Sequence, residues 1–309
     1  MLRVFACLLF CCVLLAVPLT VQADFMRVTL LGTGSPRVDP DRAGSAVLVE
    51  AGGKVLLFDA GRSVVPRLGQ LGMHIAKIDT VFLTHLHSDH IFGLDDLWIT
   101  GWVYQRPQPL TVYGPAGTSS FARGLEQAYA YDISVRNQYA GMDKNAVRLV
   151  THEIEPGVVY SKDRVRVTAF LVDHGVVTPA YGYRIDFGDR SVVISGDTSY
   201  SETLVEHARG TDLLIHELFA ARADLLEKNP RLRRIGHYHT NPEQMVRILN
   251  ETRPRFAVTT HVILAGVRPD AVIRSLREGY AGEIHMGEDL MQFEIGGQVR
   301  MLRFEDIRQ

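Results

Sequence analysis

The 309-residue chain is poor in cysteine: it has only Cys7, Cys11 and Cys12, so nothing beyond residue 12 supplies a thiol. Past that point the chain needs no oxidative folding, and any metal it holds must be ligated by His, Asp or Glu. It also lacks a basic surplus, with 33 Lys and Arg against 35 Asp and Glu, which argues against a long nucleic acid as its main partner. No internal repeat or low-complexity tract is present, and after residue 24 there is no second apolar run of membrane length. These absences leave a globular protein whose 46% hydrophobic content can fill a large core.

What is present begins with residues 1–23, MLRVFACLLFCCVLLAVPLTVQA: one basic residue, an apolar stretch broken by Pro18, and a small residue closing Val21-Gln22-Ala23. That order predicts a cleaved signal peptide and a periplasmic or secreted protein; left uncleaved, the same segment would be a membrane tether. Cleavage removes every cysteine together with Arg3, leaving 32 basic against 35 acidic residues and a net charge of −3. Residues 24–309 then read as a single domain with no stable membrane span.

Short β-type runs open this domain, MRVTLL, SAVLVE and KVLLFDAG, and the style returns in VRVTAFLV, AYGYRIDF and SVVISGD. Helix-like stretches lie around 63–71, 90–104, 117–131, 201–208, 242–251 and 269–278. Strand groups alternating with helices predict an α/β sandwich with helices outside. LLGTGSP, residues 30–36, has the look of a phosphate-cradling glycine loop, but Pro36 and the following RVDPDR do not open a helix and no third glycine follows. It reads as a tight turn after the first strand.

The densest signal is THLHSDH, residues 84–90, directly after the strand-like TVFL. His85 and His87 alternate onto one side, whereas Asp89 and His90 point from the first turn of a helix, so two ligand pairs could serve two adjacent ions. Such a site needs further ligands at other strand ends. LVDHG offers His174, SVVISGDTS offers Asp197 and FAVTTHV offers His261.

HLHSDH followed in order by His174, Asp197 and His261 resembles the metallo-β-lactamase superfamily. LLGTGSP, LLFDAG, SGDT and HELF with HYHT are similar to its branch of ribonuclease Z and zinc-dependent arylsulfatase-like hydrolases. The resemblance covers nearly all of residues 26–296. It implies an α/β fold, the αβ/βα four-layer sandwich of two face-to-face sheets, and two Zn ions, with Mn or Fe as other occupants. One metal would be held by His85, His87 and His174, the other by Asp89, His90 and His261, with Asp197 bridging. Asp59 in LLFDAG would orient a ligand imidazole or shape its turn.

Two ions about 3.5 to 4 Å apart generate hydroxide at neutral pH and stabilise an in-line displacement. The implied reaction is cleavage of a phosphodiester or aryl sulfate by a metal-bridging hydroxide. The resemblance implies a catalytic set of Asp89, Glu217 and His239, with His239 as general acid oriented by Glu217. Thr240 and Glu243 have capping-box spacing, which would fix His239 before a helix. His216 reads as an ordinary hydrogen-bonded neighbour.

Arg231, Arg233 and Arg234 form a charged run that reads as a solvated face with a secondary role in drawing in an anion. Trp98 and Trp102 read as core, with an aryl-binding wall as the lesser alternative. Ribonuclease Z proteins often carry an arm between the third-motif His and the bridging Asp. Here that interval, His174 to Asp197, holds only one hairpin. With the export signal and acidic balance, this predicts a small anionic ester substrate rather than tRNA, and the family implies a homodimer. The competing readings are a lactonase or other carboxyl-ester hydrolase, with Tyr238 polarising the carbonyl, and a non-catalytic ligand-binding module.

Overall fold

The computed structural model describes residues 26–307, and the segment read as a signal peptide lies outside them. The first half of the chain runs β1 (Met26–Gly32), β2 (Ala46–Ala51), β3 (Lys54–Phe58), α1 (Val64–Gln70), β4 (Thr80–Phe82), α2 (Ser88–Ile91) and α3 (Leu94–Val103). It continues through β5 (Leu110–Gly114), α4 (Thr118–Ala128), α5 (Ala130–Ala140) and β6 (Leu149–Glu153). The second half runs β7 (Gly157–Lys162), β8 (Val165–Leu171), β9 (Tyr181–Phe187), β10 (Arg190–Ile194), α6 (Glu202–Ala208), β11 (Leu213–Ala221), α7 (Ala223–Lys228) and α8 (Pro230–His237). It closes with α9 (Pro242–Thr252), β12 (Phe256–Ala265), α10 (Pro269–Gly279), β13 (Ile284–Met286), β14 (Gln292–Ile295), β15 (Val299–Leu302) and α11 (Phe304–Ile307).

The strands form an eight-stranded sheet, β15-β14-β1-β2-β3-β4-β5-β6, and a seven-stranded sheet, β13-β12-β11-β10-β9-β8-β7. Strand alternation explains why they stack. Met26, Val28 and Leu30 of β1 and Val47 and Val49 of β2 join Leu213, Ile215 and Val258 from the other sheet in one buried core. The intervening Leu31, Leu48 and Leu57 face outward onto Val64, Leu97 and Trp98 of the helices covering the first sheet. Val193, Leu214 and Ala257 do the same on the second sheet against α6, α9 and α10. Both faces of each central strand are therefore apolar, so these strands read as runs rather than strict alternations. The result is the four-layer αβ/βα sandwich, as one domain.

Trp98 and Trp102 are fully buried in the outer core, and their indole N–H groups donate to the carbonyls of Val147 and Asp143. They are packing residues, and the aryl-wall alternative falls. The predicted helix at 90–104 is broken at Gly93, where an added Cβ would lie 2.4 Å from the Gly61 carbonyl oxygen. Among the described residues no helix is long and apolar enough to cross a membrane.

Candidate metal centre

The loop after β4 carries His85 and His87, and α2 carries Asp89 and His90, as the motif predicts. His174 follows β8 and Asp197 follows β10. His261 departs from expectation. It does not end its strand but lies within β12, which shifts register against β11 so that Thr260 pairs with Glu217 and Val262 with Leu218. The skipped His261 has φ 42°. A bulge of this kind turns a side chain out of the pleat at the cost of a left-handed backbone.

One ligand atom from each of His85, His87, His174 and Asp197 falls within 4.8 Å of the others, and the same holds for Asp89, His90 and His261. A carboxylate oxygen of Asp197 links the two groups: it lies 3.7 Å and 3.8 Å from Nε2 of His85 and His174, and 3.3 Å from Nε2 of both His90 and His261. His261 Nε2 also meets Asp89 Oδ2 at 3.0 Å. All seven expected positions converge. His87 is the exposed member, so the cluster opens to solvent on its side.

The outer nitrogens of several imidazoles are occupied. His90 Nδ1 meets Asp59 Oδ2 at 2.7 Å, His85 Nδ1 meets the Thr84 hydroxyl at 3.0 Å, and His174 Nδ1 donates to the Tyr238 carbonyl at 3.0 Å. Asp59, itself at φ 58°, also accepts the Thr84 backbone N–H. Its place beside His90 matches the orienting reading. Such outer partners fix the tautomer and aim the inner nitrogen at a common point.

Burial, assisted by the neighbouring His90 charge, keeps His85 well below the ordinary imidazole pKa, and burial lowers His87 and His174 as well. These are then neutral imidazoles, the form that binds a cation. Burial opposes ionisation of Asp197, but the imidazoles of His261 and His90 overcome it and hold the carboxyl well below its usual range. His90 Nε2 and Asp197 Oδ1 are buried with no hydrogen-bond partner. Orphaned buried polar atoms are costly. Aimed into a cluster of imidazole nitrogens and carboxylate oxygens, they fit a divalent metal.

Beside the cluster, His239 Nδ1 meets Glu217 Oε1 at 3.1 Å, and the His239 ring lies 5.1 Å from that of His174 and 5.5 Å from that of His261. Glu217 Oε1 also accepts the backbone N–H of Thr240 at 2.8 Å. The predicted pair is therefore together, although the helix start differs. The capping box is Asn241 with Gln244, one residue beyond the expected Thr240 and Glu243, because Pro242 takes the first helical position. The Thr240 hydroxyl instead donates to the Thr198 carbonyl. His216 Nδ1 meets the Glu217 carbonyl oxygen, consistent with its structural reading.

Sequence reading missed the role of Thr84, whose hydroxyl touches both Asp59 and His85, and named Tyr238 for its side chain, whereas it is its backbone carbonyl that positions His174. A threonine between TVFL and His85 was the available signal for the first. A backbone carbonyl leaves no signal in sequence.

Residues 54–262 match a family model described as a beta-lactamase superfamily domain. A protein named ribonuclease Z from Mycobacterium bovis (strain BCG / Pasteur) is 36% identical over 277 residues, covering 87% of this chain and 98% of that relative. The chain is also similar to a crystal structure of human tRNase Z, short form, at 25% identity and TM-score 0.65, covering 86% of this chain and 98% of that one. The metallo-β-lactamase fold protein YhfI from Bacillus subtilis aligns at TM-score 0.69 and 23% identity over 88% of this chain and 100% of its own, a likeness of fold.

These findings correct the expectation against tRNA. The relative named ribonuclease Z is aligned over nearly its whole length with this chain, so a substantial arm missing here has little room to exist there. The compact β9–β10 hairpin between His174 and Asp197 therefore gives no reason to exclude RNA, and the comparisons point toward it.

Proposed function

This chain belongs to the metallo-β-lactamase superfamily, and from that premise we propose that it is a binuclear-zinc hydrolase cleaving phosphodiester bonds in RNA, with tRNA as the substrate class. The observation that carries the reading is the convergence of two ligand groups on Asp197, with the His239–Glu217 pair at their edge. The relatives named ribonuclease Z and tRNase Z support RNA over other esters.

In this reading His85, His87 and His174 would hold one ion and Asp89, His90 and His261 the other, with Asp197 shared between them. Imidazole and carboxylate without thiolate suit zinc, with manganese or iron as substitutes. When bound, the ions supply an activated water and neutralise charge on the phosphoryl oxygens. Burial opposes ionisation of Asp89, but His261 and His90 beside it together hold its carboxyl below the usual range, and it is placed to accept a proton. His239, oriented by Glu217, delivers a proton to the leaving oxygen. Asp59 and Thr84 hold the rings of His90 and His85 in place.

The test is zinc-dependent cleavage of a tRNA transcript with a 3′ extension, alongside bis(p-nitrophenyl) phosphate, p-nitrophenyl sulfate and a lactone. We expect turnover of both diesters, abolished in Asp197→Ala, and a loss of about 10²- to 10⁴-fold in His239→Ala. Intact RNA beside rapid lactone hydrolysis would overturn it in favour of a carboxyl-ester enzyme. The one observation on that side is the Tyr238 ring, 5.2 Å from that of His174. Tight ligand binding without turnover would leave a binding module, against which the complete donor set argues.

We further propose that residues 1–23 are a cleaved signal peptide and that the enzyme works in the periplasm or outside the cell. An intact mass beginning at Asp24 in the periplasmic or medium fraction is the expected result. A full-length mass in the membrane fraction would make the segment an anchor.

A further inference from the structure

The protein as a whole is slightly acidic, and several of its surface arginines are neutralised. Arg136, Arg184, Arg222, Arg247, Arg255 and Arg268 each lie against an aspartate or glutamate. Exposed arginines without a carboxylate within 4.0 Å also stand singly elsewhere, as at Arg123, Arg148 and Arg209, but on one helix three of them gather. Arg231, Arg233 and Arg234 on α8 are exposed, and among the described residues none has a carboxylate within ion-pair distance of 4.0 Å. No Asp or Glu occurs between Glu227 and Glu243, whereas the interval contains Lys228, the three arginines and two histidines.

The orientation of α8 is fixed by the metal centre itself. Leu232, Ile235 and Gly236 form its half-buried side, and the Gly236 Cα lies so close to the Phe219 ring that an added Cβ would stand 2.8 Å from it. Asn229 caps its start by accepting the backbone N–H groups of Arg231 and Leu232 at 3.1 Å. Its C-cap is Tyr238, whose carbonyl holds His174, and the next residue is His239. At a rise of about 1.5 Å per residue, Arg231 is only about 10 Å along the axis from Tyr238. Arg231, Arg234 and His237 follow at i, i+3 and i+6, so they line one stripe that runs toward the centre, with Arg233 beside it.

We propose that the solvent face of α8 binds the phosphate backbone of the RNA strand that leads away from the scissile bond. The inference rests on the RNA reading above and adds the surface that would take the place of an arm. Guanidinium groups free of internal partners, fixed on a short rigid helix, suit phosphate oxygens. They retain all their donors and give up no ion pair on binding. A solvated face with the same residue types would be expected to carry the i, i+4 carboxylates seen on α5, α9 and α10.

The experiment compares wild type, Arg231→Gln/Arg233→Gln/Arg234→Gln and the corresponding triple Lys variant, all zinc-loaded. The probes are the extended tRNA transcript and bis(p-nitrophenyl) phosphate over a range of salt concentrations. In the Gln variant we expect a rise in KM for RNA of about tenfold or more with kcat nearly kept, and a log KM against log salt slope flatter by about two to three. The Lys variant keeps most of the slope, and turnover of the small diester is unchanged. RNA kinetics and salt slope equal to wild type would overturn the proposal. If the triple Gln variant loses thermal stability, Arg231→Gln and Arg234→Gln carry the test singly, each flattening the slope by about one. If wild type cleaves the small diester but not RNA, the RNA reading of the centre fails, and anisotropy with labelled tRNA decides the rest. Binding lost in the Gln variant would retain the surface, and no binding by wild type would overturn it.

Discussion

Glu217 is a buried carboxylate whose one oxygen serves His239, Thr240 and Thr198, and its effect on His239 can be read in a pH profile. Burial alone would lower the His239 pKa, but the Glu217 charge and hydrogen bond outweigh it and raise the imidazole above its ordinary value. In the general-acid role proposed for it His239 would work while protonated, so this raised pKa would carry activity to higher pH. Glu217→Gln removes the larger raising influence and leaves burial opposed only by the Asp197 charge, and the alkaline limb of kcat/KM should move to lower pH. An alkaline limb that does not move would assign it to another group. Thr84 offers a second test at this scale. Thr84→Val keeps the shape but strips the hydroxyl from Asp59 and His85, at a cost of about 1 to 3 kcal/mol in unfolding experiments and about 10- to 100-fold in zinc affinity. Unchanged zinc affinity would show that Asp59 alone holds the rings.

At the scale of elements, the centre depends on backbones packed too closely for side chains. A Cβ on Gly61 would lie 2.4 Å from the Gly44 carbonyl carbon and 2.5 Å from the Asp89 carbonyl oxygen. Gly61→Ala should therefore displace α2, which carries Asp89 and His90, and lower zinc binding at that position before it unfolds the protein. A variant binding two zincs with wild-type affinity would refute this. Asn241→Ala, by contrast, should cost only about 1 kcal/mol of stability, since it removes one helix cap. The same elements show what sequence could reveal. β1, β2, β3 and β10 were legible as largely apolar runs, and β8 and β9 as alternations, with Val165, Val167, Tyr183 and Ile185 buried and Arg166, Arg184 and Asp186 on the other face. The HxHxDH cluster was legible because its ligands are local. α5 was not, because it has no buried residue and hence no apolar stripe to read. The bulge at His261 was not either, since it depends on the register between β11 and β12, and the Glu217–His239 pair was reached only through family resemblance.

For the molecule as a whole, the centre joins its two halves. His85, His87, Asp89 and His90 come from the loop and helix after β4 of the eight-stranded sheet. His174, Asp197, Glu217 and His261 come from β8, β10, β11 and β12 of the seven-stranded one. A metal held here would link both sheets and would answer the polar atoms His90 Nε2 and Asp197 Oδ1, which the fold buries without hydrogen-bond partners. The unfolded chain presents these ligands scattered over more than 170 positions from His85 to His261, so the cations bind the folded state far better. Zinc at about a hundred times its Kd then contributes about 2.7 kcal/mol per site, and each kcal/mol moves Tm by about 2 to 4 °C for a domain of this size. Chelation should lower Tm by roughly 5 to 20 °C, depending on whether one or both sites empty, and added zinc should restore it. Asp197→Ala should show a smaller chelator effect, because its loss weakens both sites together. If scanning calorimetry finds equal Tm values for zinc-free and zinc-loaded protein, the ions do not join the two sheets, and catalytic and structural roles must be separated.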